Sequence, residues 1–252
     1  MTWRIFAAAA IGKSHIDAGT SCQDAFAHEV VGETLIAAVC DGAGSQPLSH
    51  VGSEALSRLV VQGLARRVSD GVLLATVEAA AFSGVIGDII ASARETLAVE
   101  AEAAGVLLGA YAVTLVGAIA TGAGGWLFHI GDGQGAVEPQ ADDQAPILSM
   151  PENGEYANET YFFTGDEWRE HLRITPIGLP IRTVALMSDG AAPFVMTKGN
   201  AALYRPFMDP VERYLATASA SDGCAALAST LGDPRTYRIT GDDKTLLIAL
   251  WQ

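Results

Sequence analysis

The sequence is poor in cysteine and in positive charge, and it has no long unbroken apolar run. Its three cysteines, Cys22, Cys40 and Cys224, form no CxxC pair. That excludes a disulfide framework and a cysteine zinc site, and Cys22 and Cys40 sit in the apolar surroundings of small core residues. His28, His50, His129 and His171 lack HxxH or HExxH spacing, which removes a histidine zinc site too. Lysine and arginine number 15 against 29 aspartates and glutamates, giving a net charge of −14. So acidic a chain is a poor partner for nucleic acid or an anionic membrane. Its acidity suits either a solubilising surface or carboxylates offset by bound cations. The apolar stretch Ala112–Ile130 is broken by TGAGG, which a membrane helix would not carry. MTWRIFAAAAIGKSH, with Arg4 inside its apolar run, has no cleavage pattern, so the expectation is a cytoplasmic protein without a signal peptide.

What is present is a core-rich globular composition, half apolar and 17% charged. Residues 3–11 read as a strand, and Ala25–Val31 with Thr34–Cys40 as a hairpin turning at Gly32–Glu33. Apolar residues at helical spacing mark a helix from Ser49 to about Val68. Ser69 or Asp70 is the expected cap of a second helical region reaching about Ala104, with Gly84 and Gly87 as dividers. Tyr111–Ala120 and Trp126–Ile130 read as a second hairpin, Thr160–Thr164 as a short strand and GDEWREHL as a helical turn. Val184–Ser188 is a strand, helices fill about 201–231, and Thr245–Trp251 is a last apolar strand. With no linker, repeat or low-complexity segment, the chain reads as one α+β domain over 1–252.

Most of these strands carry an aspartate at one end. VCDG ends a strand at Asp41, FHIGDG at Asp132 and LMSDG at Asp189; GDDK begins one at Asp242–Asp243 and CQDAF begins one at Asp24. Any single Asp-Gly is an ordinary turn pair. The joint pattern is different, because sheet strands can gather their ends at one rim. Two carboxylates ~4 Å apart repel by roughly 1 kcal/mol in water and about 4 kcal/mol at an effective dielectric of 20. Either the acids lie apart or a cation holds them. Oxygen-only ligands suit Mg²⁺ or Mn²⁺, and a following glycine lets the backbone approach an ion. Two such ions could hold a phosphate and activate water for in-line attack.

CQDAF, AVCDGAGS, HIGDG, LMSDG and GDDKTLLIAL, in that order, resemble the motifs of the metal-dependent PP2C-type (PPM family) protein phosphatases, specifically their compact bacterial branch. GEYANET, Gly154–Thr160, also resembles a segment of that branch. The resemblance covers about residues 10–250. It implies a four-layer αββα sandwich of two stacked antiparallel sheets flanked by helices, with two metal ions, or three, at one end. By the same resemblance Asp41 bridges both metals, the Gly42 carbonyl binds one, and Asp189 and Asp242 bind the other. Asp132 joins Asp189 at a third, weaker site. Asp24 bonds metal waters, as Gln23 can where many members have Glu. Asp243, where the family often has Asn, is the alternate ligand to Asp242.

Two further positions depart from the family pattern: Gly19 stands where many members have a phosphate-binding Arg, and Ala43 where eukaryotic members often have a His. His15, shortly before Asp24, is either a substitute phosphate contact or a structural histidine. The implied activity is hydrolysis of phosphoserine and phosphothreonine in a protein substrate, with a Ser/Thr kinase as partner and with residues around 140–175 shaping the substrate surface. The alternative is a catalytically weak module of the same fold that binds a phosphoprotein or the kinase. Other signals lead nowhere. GKS at Gly12–Ser14 lacks the earlier glycine of a P-loop, where Ala7 stands, and no helix is expected after it. GDGQG at 131–135 is followed by Pro139 rather than a helix, DGAGS lacks the ligands of an EF-hand, and no serine sits in GxSxG.

Overall fold

The run TLIAAVC has no polar alternation because both of its faces are covered. This strand, β3 (Thr34–Cys40), turns Leu35, Ala37 and Val39 to one side and Ile36, Ala38 and Cys40 to the other, and each set enters a different core. Side chains alternate across a strand, so a strand between two layers reads as one apolar block. The last strand, β10 (Lys244–Trp251), is built the same way: Leu246, Ile248 and Leu250 face one core, Leu247 and Ala249 the other.

The computed structural model describes residues 1–152 and 160–252. It holds two antiparallel five-stranded sheets. In the first, β1 (Trp3–Ala10), β10, β9 (Ile181–Met187), β6 (Gln134–Pro139) and β7 (Ile147–Ser149) lie in that order. In the second the order is β2 (Ala25–Val31), β3, β4 (Leu115–Thr121), β5 (Gly124–Ile130) and β8 (Arg173–Ile177). One core fills the space between the sheets. A second lies under α2 (Ser49–Ser69) and α3 (Ala79–Ala104), and a third under α4 (Ala192–Val195), α5 (Arg205–Leu215) and α6 (Ala220–Leu231). That is the four-layer arrangement the sequence implied. Among the described residues no helix is long and apolar enough to cross a membrane.

Several local expectations need correction. A short helix, α1 (Lys13–Ala18), does begin within GKS; it buries no residue, so it leaves no apolar periodicity to read. The region after Asp70 is not yet helix: Leu74–Thr76 forms a 3-10 turn, and α3 begins only after Glu78. Leu74 is buried there, and its carbonyl accepts from the Trp126 indole at 3.1 Å. Gly84 and Gly87 do not divide α3, which runs unbroken for 26 residues. Thr160–Thr164 is no strand; Thr160 makes one isolated bridge and turns follow. Strands β6, β7 and β8 are additions to the elements expected from the sequence. The GEYANET resemblance falls, except for Thr160, outside the described residues.

Candidate metal centre

Antiparallel pairing brings the aspartates to one rim. Ala25 faces Cys40, so Asp24, just before β2, and Asp41, just after β3, are the next residues outward. Met187 faces both Leu246 and Gln134, which sets Asp189 beyond the end of β9, beside the starts of β10 and β6. Asp242 and Asp243 precede β10, and Asp132 precedes β6. In an antiparallel sheet the end of one strand lies against the start of the next, so acids after some strands and before others share a rim. The backbone fixes the centre further. The Thr114 N–H donates to the Asp41 carbonyl at 2.8 Å, and the Asp41 N–H donates to the Thr114 hydroxyl at 3.3 Å. A Cβ on Gly42 would stand 2.7 Å from the Gln23 carbonyl and 2.9 Å from Ser49 Cβ, so only glycine lets this turn close on Gln23.

The acids feel one another. Burial pushes the Asp41 carboxyl well above the usual carboxylate range, and the charges of Asp24, Asp189 and Asp242 push it further. Burial also raises Asp24 to about 7, with the Asp243 charge adding. Asp189 rises to about 6, again chiefly by burial, with Asp132 and Asp242 contributing. Several acceptors have no hydrogen-bond donor among the described residues: both oxygens of Asp24, Oδ1 of Asp189 and Oε1 of Gln23. Buried acceptors left without donors are costly unless a cation or an ordered water meets them. Among the described residues no group of three His, Cys, Asp or Glu side chains is already set to hold an ion by itself.

Asp243 stands apart from the others. It is 2% exposed and accepts from the Gly12 N–H at 2.6 Å, the Gln23 N–H at 2.6 Å and His15 Nδ1 at 2.8 Å. Its oxygens are thus committed to fastening the segment 12–23 to the start of β10. His15 is committed with it, through the nitrogen that faces Asp243. Gly19 also serves the backbone, because it closes α1 in the left-handed region, with φ 69°. Asp243→Ala leaves two buried N–H groups unpaired, at about 1–3 kcal/mol each. We expect a loss of roughly 2–5 kcal/mol in urea unfolding, and a smaller loss for Asp243→Asn. An unchanged unfolding midpoint for both would refute the clamp.

A sequence model of the family described as protein phosphatase 2C matches residues 11–232. The chain belongs to the protein phosphatase 2C family. Serine/threonine-protein phosphatase 3 of Escherichia coli (strain K12) is 30% identical over 260 residues, taking in 100% of this chain and 99% of that protein. Among solved structures, the serine/threonine phosphatase Stp1 from Staphylococcus aureus superposes with a TM-score of 0.65 at 15% identity, covering 100% of this chain and 96% of that one. The catalytic domain of the phosphatase PstP, in complex with 2 manganese ions, gives 0.62 at 19% identity and covers 98% and 97%. RsbX in complex with magnesium gives 0.58 at 12%, covering 99% and 96%. These three share the fold. With its family and its relative, the chain is a protein serine/threonine phosphatase, a metal-dependent hydrolase of phosphorylated proteins.

Residues that no sequence motif singles out also contact the rim aspartates and the turn before Asp132. The Thr160 hydroxyl donates to Asp132 Oδ2 at 2.6 Å. Arg173 donates to the Gly131 carbonyl at 3.1 Å and pairs with Glu152 at 3.1 Å, holding the turn that presents Asp132. Lys244 is fully buried; its Nζ donates to the Asp242 carbonyl at 3.1 Å and lies 5.3 Å from the Tyr237 ring centre. Burial lowers its pKa, against the pull of the Asp243 and Asp242 charges. A lysine directly after two aspartates is the one readable signal among these.

Proposed function

We propose that the PP2C-type phosphatase hydrolyses phosphoserine and phosphothreonine at the aspartate rim, with two Mg²⁺ or Mn²⁺ ions held there and a third, weaker site beside them. The observation that carries this is the set of donorless acceptors on Gln23, Asp24 and Asp189 among mutually repelling carboxylates. That donor set is all oxygen, which fits hard divalent ions. The charges of Asp24, Asp189 and Asp242 all act on Asp41, which supports it as the ligand two ions would share. The Gly42 carbonyl joins it on one side, Asp189 and Asp242 on the other, and Asp132 with Asp189 forms the weaker site. Few protein ligands per ion suits Mg²⁺, which gives up its waters reluctantly.

When bound, such a pair of ions would activate water near neutral pH and neutralise phosphate charge. The chain's own residues do the rest. Asp24 and Gln23 carry buried oxygens that no donor among the described residues meets, and each can accept from a water and orient it. Ala43 brings no acid–base side chain next to Gly42, so the leaving oxygen takes its proton from water. Asp243 and His15 hold the segment that carries Gln23 and Asp24. Asp242 is preferred over Asp243 as a ligand because the latter's oxygens are already bonded. We further read 1–252 as one domain, working in the cytoplasm on a substrate phosphorylated by a Ser/Thr kinase.

The test is hydrolysis of p-nitrophenyl phosphate and of a phosphothreonine peptide, with Mn²⁺ and with chelator. Turnover should require the ion and return when it is restored. Equal rates with and without chelator would refute the reading.

A further inference from the structure

Beside the rim runs a groove of about 550 Å³, between the turn at Ala43–Gln46 and the segment 160–171. Two of its lining residues adjoin the centre: Ala43 follows Gly42, and Thr160 donates to Asp132. Tyr161 and His171 form one wall, their rings stacked with centres 3.4 Å apart. Asp166 and Glu167 stand exposed at its edge, and among the described residues no lysine or arginine lines it. The turn that carries the two acids is braced from behind. Arg94 donates to the Phe163 carbonyl and, at 3.1 Å, to the Gly165 carbonyl. The guanidinium groups of Arg94 and Arg169 lie 5.7 and 4.5 Å from the ring centre of the buried Trp168. Arg94 therefore holds the turn, its charge also acts on Asp166, and Asp166 and Glu167 both line the groove.

We propose that this groove takes a lysine or arginine side chain of the substrate protein, within a few residues of its phosphorylated Ser or Thr. The proposal rests on phosphate hydrolysis at the neighbouring rim. The aromatic wall suits the aliphatic stem of a long basic side chain, and the two carboxylates suit its charge. Holding the acids on a braced turn reduces the ordering that binding must impose.

Three phosphothreonine peptides decide it: one with alanine flanks, one with arginines two and three residues before the phosphothreonine, and one with them after. Wild type should turn over one of the arginine peptides about tenfold more efficiently than the alanine peptide, chiefly through KM. The preference should shrink as salt is raised. In Asp166→Asn/Glu167→Gln it should disappear, and in Asp166→Lys/Glu167→Lys it should turn against the arginine peptide. Turnover of all three peptides at equal efficiency, or a preference that survives both double variants, overturns the proposal and leaves the phosphatase reading intact. Failure to hydrolyse any peptide or p-nitrophenyl phosphate with Mn²⁺ overturns both.

Discussion

Asp41→Ala should lose Mn²⁺-dependent turnover by about a thousandfold or more and, at the same time, make the metal-free chain more stable. The two halves come from one fact. Asp41 is surrounded by the charges of Asp24, Asp189 and Asp242. With ions present it is the shared ligand, and losing several kcal/mol of charge stabilisation at a transition state costs about that factor in rate. Without ions its carboxyl is held well above the usual carboxylate range, first by burial and then by those charges, so near neutral pH the folded chain carries the cost of that shift and the alanine variant does not. Asp189→Asn should move both quantities the same way, by less, because it faces fewer partners. Paired measurements of kcat/KM with Mn²⁺ and of urea unfolding with chelator check this. A variant that unfolds more easily without metal, while its Mn²⁺ response is intact, would mean that Asp41 is a turn residue and nothing more. Stability gained where activity is lost is expected of residues kept for function.

The second large effect is on pH. In the metal-free protein Asp24 titrates at about 7 and Asp189 at about 6, against a carboxyl value of 3.8 when unfolded. Between those limits the folded chain holds protons that the unfolded chain has released. Stability is therefore fully helped below about pH 4 and falls as pH rises through the folded values. His129 works the other way: burial lowers it to about 3, so its contribution is lost as pH drops from 6.5 toward 3. Above pH 6.5 only the acids remain in play. With chelator, unfolding free energy should drop by roughly 1–3 kcal/mol from pH 6 to pH 8. With Mn²⁺ at a hundred times its dissociation constant the drop should vanish, and the protein should gain about 2.7 kcal/mol at pH 8. A metal-free protein equally stable at pH 6 and 8 would count against a strained cluster.

Much of this is legible in the residues. The hairpin 25–40 falls where its turn pair and apolar runs place it. The strands that escape a sequence reading carry the wrong local signals. β8 contains Pro176, tolerated because among the described residues β8 is the last strand of its sheet and pairs only with β5. β6 ends at Pro139, where the pairing with β9 slips its register. Apolar LLATV, after Asp70, has a helical look but is a connector anchored by Leu74 under Trp126. Asp242 and Asp243 cannot be told apart by type. They differ by one step at a strand's start, which sends one outward and the other inward to three donors. Thr160, Arg173 and Lys244 reach the rim from distant segments or from beneath, and no motif spacing encodes such contacts.

The most direct measurement is anomalous diffraction at the manganese edge from crystals soaked in Mn²⁺. We expect two strong peaks sharing Asp41, one beside the Gly42 carbonyl and the other between Asp189 and Asp242. Manganese bound elsewhere, or a rim that stays empty while Mn²⁺-dependent turnover is present in solution, would contradict the account.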